Sequence, residues 1–135
     1  MFLYLATYSD ITILVLRVAL GALLIAHGWP KLRDWKQTTE NFNMMGFKPG
    51  ALFGGIAAVL EFFGGIAIVV GFLVQPIAVL VAIQFTVTTL WRISKKHPYV
   101  NGWEIDLLIL GSAVLLLSIG AGGYSADAYL LPPGL

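Results

Sequence analysis

The stretch ALFGGIAAVLEFFGGIAIVVGF, residues 51–72, contains one ionisable side chain, Glu61, in an otherwise apolar run. A helix of that length, at about 1.5 Å per residue, covers the roughly 30 Å of a bilayer's hydrocarbon core. The run is therefore a candidate membrane span with a carboxylate inside it. Gly54, Ala57, Ala58, Gly64, Gly65 and Ile68 share a helical stripe with Glu61. Small residues gather where helices approach closely, so the carboxylate is expected to face a bundle and not lipid.

Three more apolar runs flank this one. The first extends from Asp10 to Gly28, with Ser9 as N-cap and Pro30 ending the regular helix. Another follows Gln75-Pro76 and reaches Trp91-Arg92, and the last opens at Asn101-Gly102-Trp103 and ends near Gly120. Between the first two lies a polar segment in which Trp35, Thr38, Phe42 and Met45 recur at helical spacing opposite Lys36, Gln37, Glu40 and Asn43, a pattern for a short helix in the headgroup plane. The turn from Gly71 to Pro76 is short enough to force antiparallel neighbours. The expected fold is all-α: an integral membrane four-helix bundle, one domain over residues 1–135, with a short interfacial helix in its first cytoplasmic loop.

Composition agrees. Of 135 residues, 59% are hydrophobic and 11% charged, against about 25% charged in a soluble globule. Lys31, Arg33, Lys36 and Lys48 follow the first span and Arg92, Lys95 and Lys96 follow the third, so both these loops are expected in the cytoplasm and both termini outside. Trp29, Trp35, Trp91 and Trp103 then form one interfacial belt, and Tyr4, Tyr8, Tyr124 and Tyr129 the other. The first span reads as retained, because it lacks a basic leader, Arg17 interrupts it and no small-x-small cleavage site follows.

Several chemistries are excluded. With no cysteine the chain builds no Fe–S cluster, thiolate zinc site or thiol nucleophile. A haem would need two intramembrane histidines and only His27 qualifies; the acidic residues are too few for a metal site. A net charge of +1 gives no case for nucleic acid. Redox chemistry would need a borrowed carrier.

The polar residues within the spans are the candidate site. An ionisable group near mid-membrane costs about 2.5–3.5 kcal/mol even on the lenient insertion scale, so it is compensated or used. Arg17, Glu61 and Gln84 come to similar depths by residue counting and are expected to form one polar layer, with Arg17 pairing Glu61. His27 and Asp106 make a second cluster near the cytoplasmic boundary. Each has a plainer reading. The Arg17–Glu61 pair would fix helix register, Asp106 would favour the helix dipole, and His27 would be interfacial. Asn101 and Glu104 fit a capping-box variant, and Gly50-x-x-x-Gly54 fits a helix-contact pattern.

These residues also carry a family resemblance. Leu16-Arg17-Val18-Ala19-Leu20-Gly21 and His27-Gly28-Trp29-Pro30-Lys31-Leu32 resemble the opening signature of the DoxX family of small four-helix membrane proteins. Gly46-Phe47-Lys48-Pro49, Glu61-Phe62-Phe63-Gly64-Gly65, Gly71-Phe72, Gly102 to Leu108 and the Gly-x-Gly-x-Tyr-Ser-x-Asp ending at Gly120 to Asp127 resemble later family segments in order. The resemblance implies membrane-linked sulfur and quinone redox chemistry, as the small subunit of a thiosulfate:quinone oxidoreductase, or resistance to quinone, thiol or oxidative stress. On this reading the chain is a non-autonomous subunit in a bacterial or archaeal cytoplasmic membrane. Arg17, His27 and Gln84 would bind quinone, while Glu61 and Asp106 would relay protons, and the partners would be redox proteins or further copies of the chain. The alternative is a structural or assembly subunit without chemistry of its own; a small-molecule or proton carrier is a third reading.

Overall fold

A computed structural model describes residues 8–131 of the chain; Tyr4, assigned above to an aromatic belt, lies outside the described residues. The helices are α1 (Ser9–Arg33), α2 (Trp35–Met44), α3 (Gly50–Val70), α4 (Val74–Ser94), α5 (Glu104–Ile119) and the short α6 (Ala126–Leu130). A five-residue turn, Tyr99–Trp103, precedes α5. Four helices, α5 counted with that turn, are long and apolar enough to cross a membrane. Large apolar side chains such as Val15, Phe63, Ile83 and Leu108 stand exposed along their outer faces, as lipid contact requires.

Closest packing joins α1 to α3. A Cβ on Gly28 would lie 2.5 Å from the Phe62 nitrogen, and one on Gly21 would lie 2.6 Å from the Gly65 carbonyl oxygen. The two backbones thus touch along a seam on which a side chain would force them apart. α4 pairs broadly with α5, α3 meets α4 along a narrower line, and α1 meets α5 at few points. The predicted small-residue stripe is the buried face of α3: Gly54, Ala57, Ala58, Glu61, Gly64, Gly65 and Ile68.

Three boundaries differ from expectation. α1 runs through Pro30 to Arg33. Proline removes one backbone donor, a loss that a helix packed in a membrane bundle tolerates. Ser9 is already inside α1, and Tyr8 precedes the helix without a side-chain cap. At the start of α5, Asn101 adopts a left-handed conformation and Trp103 occupies the cap position. Half of the expected capping box survives, because the Asn101 N–H still donates to Glu104 Oε1 at 3.0 Å.

α2 lies where the amphipathic pattern put it, with Thr38 buried and Asp34 accepting the Gln37 N–H at 3.1 Å as its N-cap. Gly50 and Gly54 face α2, near Thr39, Asn43, Thr38 and Phe42. The Gly50-x-x-x-Gly54 pattern therefore serves this short helix and not a contact between spans.

Candidate functional site

The bundle has two dissimilar ends. At the basic end, α1 and α4 finish and α3 and α5 begin; at the tail end lie Asp10, the α3–α4 turn and residues 120–131. Polar side chains gather at each, with hydrocarbon between.

Glu61 is 2% exposed and both its oxygens are engaged. Lys31 Nζ lies 2.5 Å from Oε2, and Gln84 Nε2 donates to Oε1 at 2.5 Å. One carboxylate thereby ties α1, α3 and α4 together. Gln84 joins Glu61 as the expected polar layer requires, but the cation is Lys31 and not Arg17. Side-chain direction explains the difference. In an α-helix each Cα–Cβ bond tilts toward that helix's own N-terminus, and α1 and α3 are antiparallel. Glu61 leans toward the basic end and Lys31 leans back into the bundle, so they converge; Arg17 leans toward the tail end and diverges.

Sequence reasoning placed Lys31 among the loop cations and in the family signature, not among the buried polar residues. Its signal was the buried stripe of α1, Arg17, Leu20, Gly21, Leu24 and Gly28, whose next member at helical spacing is Lys31. Ending the helix near Pro30 hid that continuation.

Beside this pair, Arg92 Nε approaches Asp106 Oδ2 to 2.9 Å and ties α4 to α5. Asp106 is 5% exposed. His27 and Lys31 lie within coulombic reach of the same carboxylate, which brings the expected His27–Asp106 cluster to one end. His27 Nδ1 is 2.7 Å from the Leu23 carbonyl oxygen, which fixes the ring and leaves Nε2 free of that contact. Three buried polar atoms have no hydrogen-bond partner here: Gln84 Oε1, Thr89 Oγ1 and Asp106 Oδ2, the last being near Arg92 but not aligned with its N–H. Thr89 was not singled out from the sequence; it lies on the core stripe of α4 with Val81 and Phe85.

Arg17 is fully buried at the tail end. Nη1 donates to the carbonyls of Ile68 and Val69, at 3.3 and 3.2 Å, and Nη2 donates to the Tyr124 carbonyl. The last carbonyls of α3 carry the negative pole of its dipole, so they stabilise a cation with no carboxylate in contact. The tail is fastened at further points. Asp127 accepts the Leu73 and Val74 N–H groups at 2.8 and 3.0 Å, and its own N–H donates to the Gly71 carbonyl at 2.9 Å. Asp10 accepts the Gly123 N–H at 2.9 Å. Gly71 takes a φ of +80°, and a Cβ there would strike both Arg17 and Ser125. The Gly-x-Gly-x-Tyr-Ser-x-Asp ending is thus a strap bound by backbone groups.

Leu24, Ile68, Val81, Ile109 and Ala113 are fully buried in the core that fills the interior between Arg17 and Glu61. This packed hydrocarbon separates the two polar ends of the bundle. Hollows lie elsewhere: a groove of about 380 Å³ on α5 beside Tyr99, Glu104 and Ser112, and one of about 670 Å³ at the tail beside Gln75, Ser125 and Asp127.

Comparison with known proteins places this architecture. The DoxX family model matches residues 12–93, which include Arg17, Lys31, Glu61, Gln84 and Arg92. Inner membrane protein YqjF of Escherichia coli strain K12 is 34% identical over 125 residues, covering 90% of this chain and 94% of that protein. Inner membrane protein YphA of the same organism is 30% identical over 129 residues, 87% of this chain and 89% of that one. No solved structure matches. With the family model matching more than half of the chain and two relatives matching it nearly end to end, the chain belongs to the DoxX family.

Proposed function

We propose that this protein is a multi-pass membrane subunit of a quinone-linked redox assembly, handling protons at its basic end while a partner supplies electrons. The observation that carries this reading is the position of Glu61: buried, yet bonded to a lysine whose side chain is 28% exposed. Proton transfer to a membrane-embedded acceptor needs a titratable group shielded from water but within a bond or two of it. The inner-membrane names of both relatives support a cytoplasmic-membrane location, and the clustering of Lys and Arg supports a cytoplasmic basic end.

Buried polar atoms without hydrogen-bond partners at this end support the reading. Thr89 offers a hydroxyl donor to a quinone carbonyl, whereas Gln84 Oε1 and Asp106 Oδ2 offer acceptors to the hydroxyls of the reduced quinol. A quinone, when bound, accepts two electrons and two protons. His27 would orient it, Gln84 and Thr89 would hold it, and Glu61 and Asp106 would hold the protons. Arg17 stands apart from this assignment because backbone carbonyls engage its guanidinium. Titrating the detergent-solubilised protein with a short-chain benzoquinone, followed by tryptophan emission, tests the reading. Saturable quenching is expected, weakened about tenfold, or about 1.4 kcal/mol, in a Gln84→Leu, Thr89→Val variant. Absence of saturable quenching would overturn it.

A second reading, a structural subunit, rests on the charged ties themselves, each of which joins different helices. Strong stability coupling between Lys31 and Glu61, with quinone-linked turnover in the assembled complex unchanged by Glu61→Gln, would favour it.

A further inference from the structure

We infer that Lys31 is the proton port of this site: protons reach Glu61 through the Lys31 ammonium, from the basic end alone. The inference rests on the proton-handling role just proposed and adds a route and a direction to it.

The two ion pairs of the basic end are alike in plan, each joining a buried carboxylate to a cation at the rim. Their chemistry differs. Arg92 borders Asp106, and a guanidinium stays protonated at any pH a protein meets, so that pair clamps two helices and passes nothing on. Lysine is the cation that can give up a proton when its partner is close and water is scarce. At 2.5 Å the Nζ–H bond of Lys31 can break as an O–H bond forms on Glu61 Oε2, leaving a neutral amine beside a neutral carboxyl group. The neutral Nζ amine then takes a proton from a hydronium ion or buffer acid in the solvent, which leaves water or the buffer base, and the ammonium is restored. Charge and atoms balance at both steps, with no oxidant or reductant involved.

Geometry limits the alternatives. The other Glu61 oxygen faces the amide of Gln84, which does not titrate. The Lys31 carbonyl accepts the Thr38 hydroxyl of α2, which anchors the backbone beneath the ammonium and not the ammonium itself. From the neighbouring pair come Arg92 of α4 and Asp106 of α5, with His27 of α1 within reach of that carboxylate. Toward the tail end, Leu24, Ile68, Val81 and Ile109 belong to a core with no exposed surface, so nothing polar continues the path.

The test is a pH jump on the detergent-solubilised protein with no quinone present. Infrared difference spectra isolate the Glu61 carboxylate by subtraction of the Glu61→Gln variant. Lys31→Arg keeps the positive charge and the tie to Glu61 but removes a labile proton; protonation of Glu61 is expected to slow at least tenfold. Lys31→Ala is expected to slow it further, and added methylamine to restore it, an effect that a purely structural lysine would not produce. Wild-type rates in Lys31→Arg, or no response of Lys31→Ala to methylamine, would overturn the proposal. Should Lys31→Arg not fold, the amine rescue decides alone. The pH jump is run without quinone and the titration reads quinone binding alone, so either reading can fail while the other stands.

Discussion

Glu61 bonds two other helices through its two oxygens, and its removal therefore acts on packing as well as charge. Glu61→Gln is expected to lower stability by about 1.5–3 kcal/mol, the range for hydrogen bonds to a charged group, and no more, because Lys31 is part-exposed and regains water. Thermal unfolding in detergent measures this. The double variant with Lys31→Met should lose less than the sum of the single losses. Arg17→Met deprives three carbonyls of their donor and should cost at least about 2 kcal/mol. It should also speed hydrogen exchange at the Gly123 and Asp127 amides, since the strap loses its central fastening. At this scale residue counting brought Gln84 to Glu61 but paired Glu61 with the wrong cation. Counting residues gives depth along a helix, but not the tilt of each side chain toward its own N-terminus. That tilt sends Arg17 and Glu61 to opposite ends.

Helix contacts can be tested with glycines in opposite settings. Gly28→Ala puts a methyl group against the Phe62 backbone and should destabilise by about 1–3 kcal/mol, by widening the α1–α3 seam. Gly111→Ala, where a Cβ would meet nothing within 4 Å, should be neutral or stabilising by up to about 1 kcal/mol. Thermal unfolding of the two variants side by side reads this contrast; equal losses would mean that the seam does not limit the approach of α1 and α3. The four spans and α2 were legible because apolar length and periodicity dominate the energy of a chain in lipid. Their exact ends were less so, as Pro30 illustrates: a local rule about proline yields to a helix held on both sides by packing. Asp127 capping α4 from 53 residues away left no local trace in the sequence, because nothing in the first turn of α4 signals a remote acceptor.

For the molecule as a whole, seven of the eight cations lie at one end and Arg17 alone at the other. A cytoplasmic basic end predicts the labelling of single cysteines, which the cysteine-free chain permits without background. A membrane-impermeant maleimide on spheroplasts should modify Tyr129→Cys and spare Lys95→Cys until the membrane is broken; the reverse pattern would invert the orientation. The strap over the tail end bears on how the protein is made. The guanidinium of Arg17 enters the bilayer with the first helix, while the Tyr124 carbonyl that completes its coordination is translated 107 residues later. During biosynthesis that cation waits beside lipid or within the insertion machinery until the strap emerges, so a tag spliced between Ile119 and Tyr124 should strand it and send the nascent protein to quality-control proteolysis.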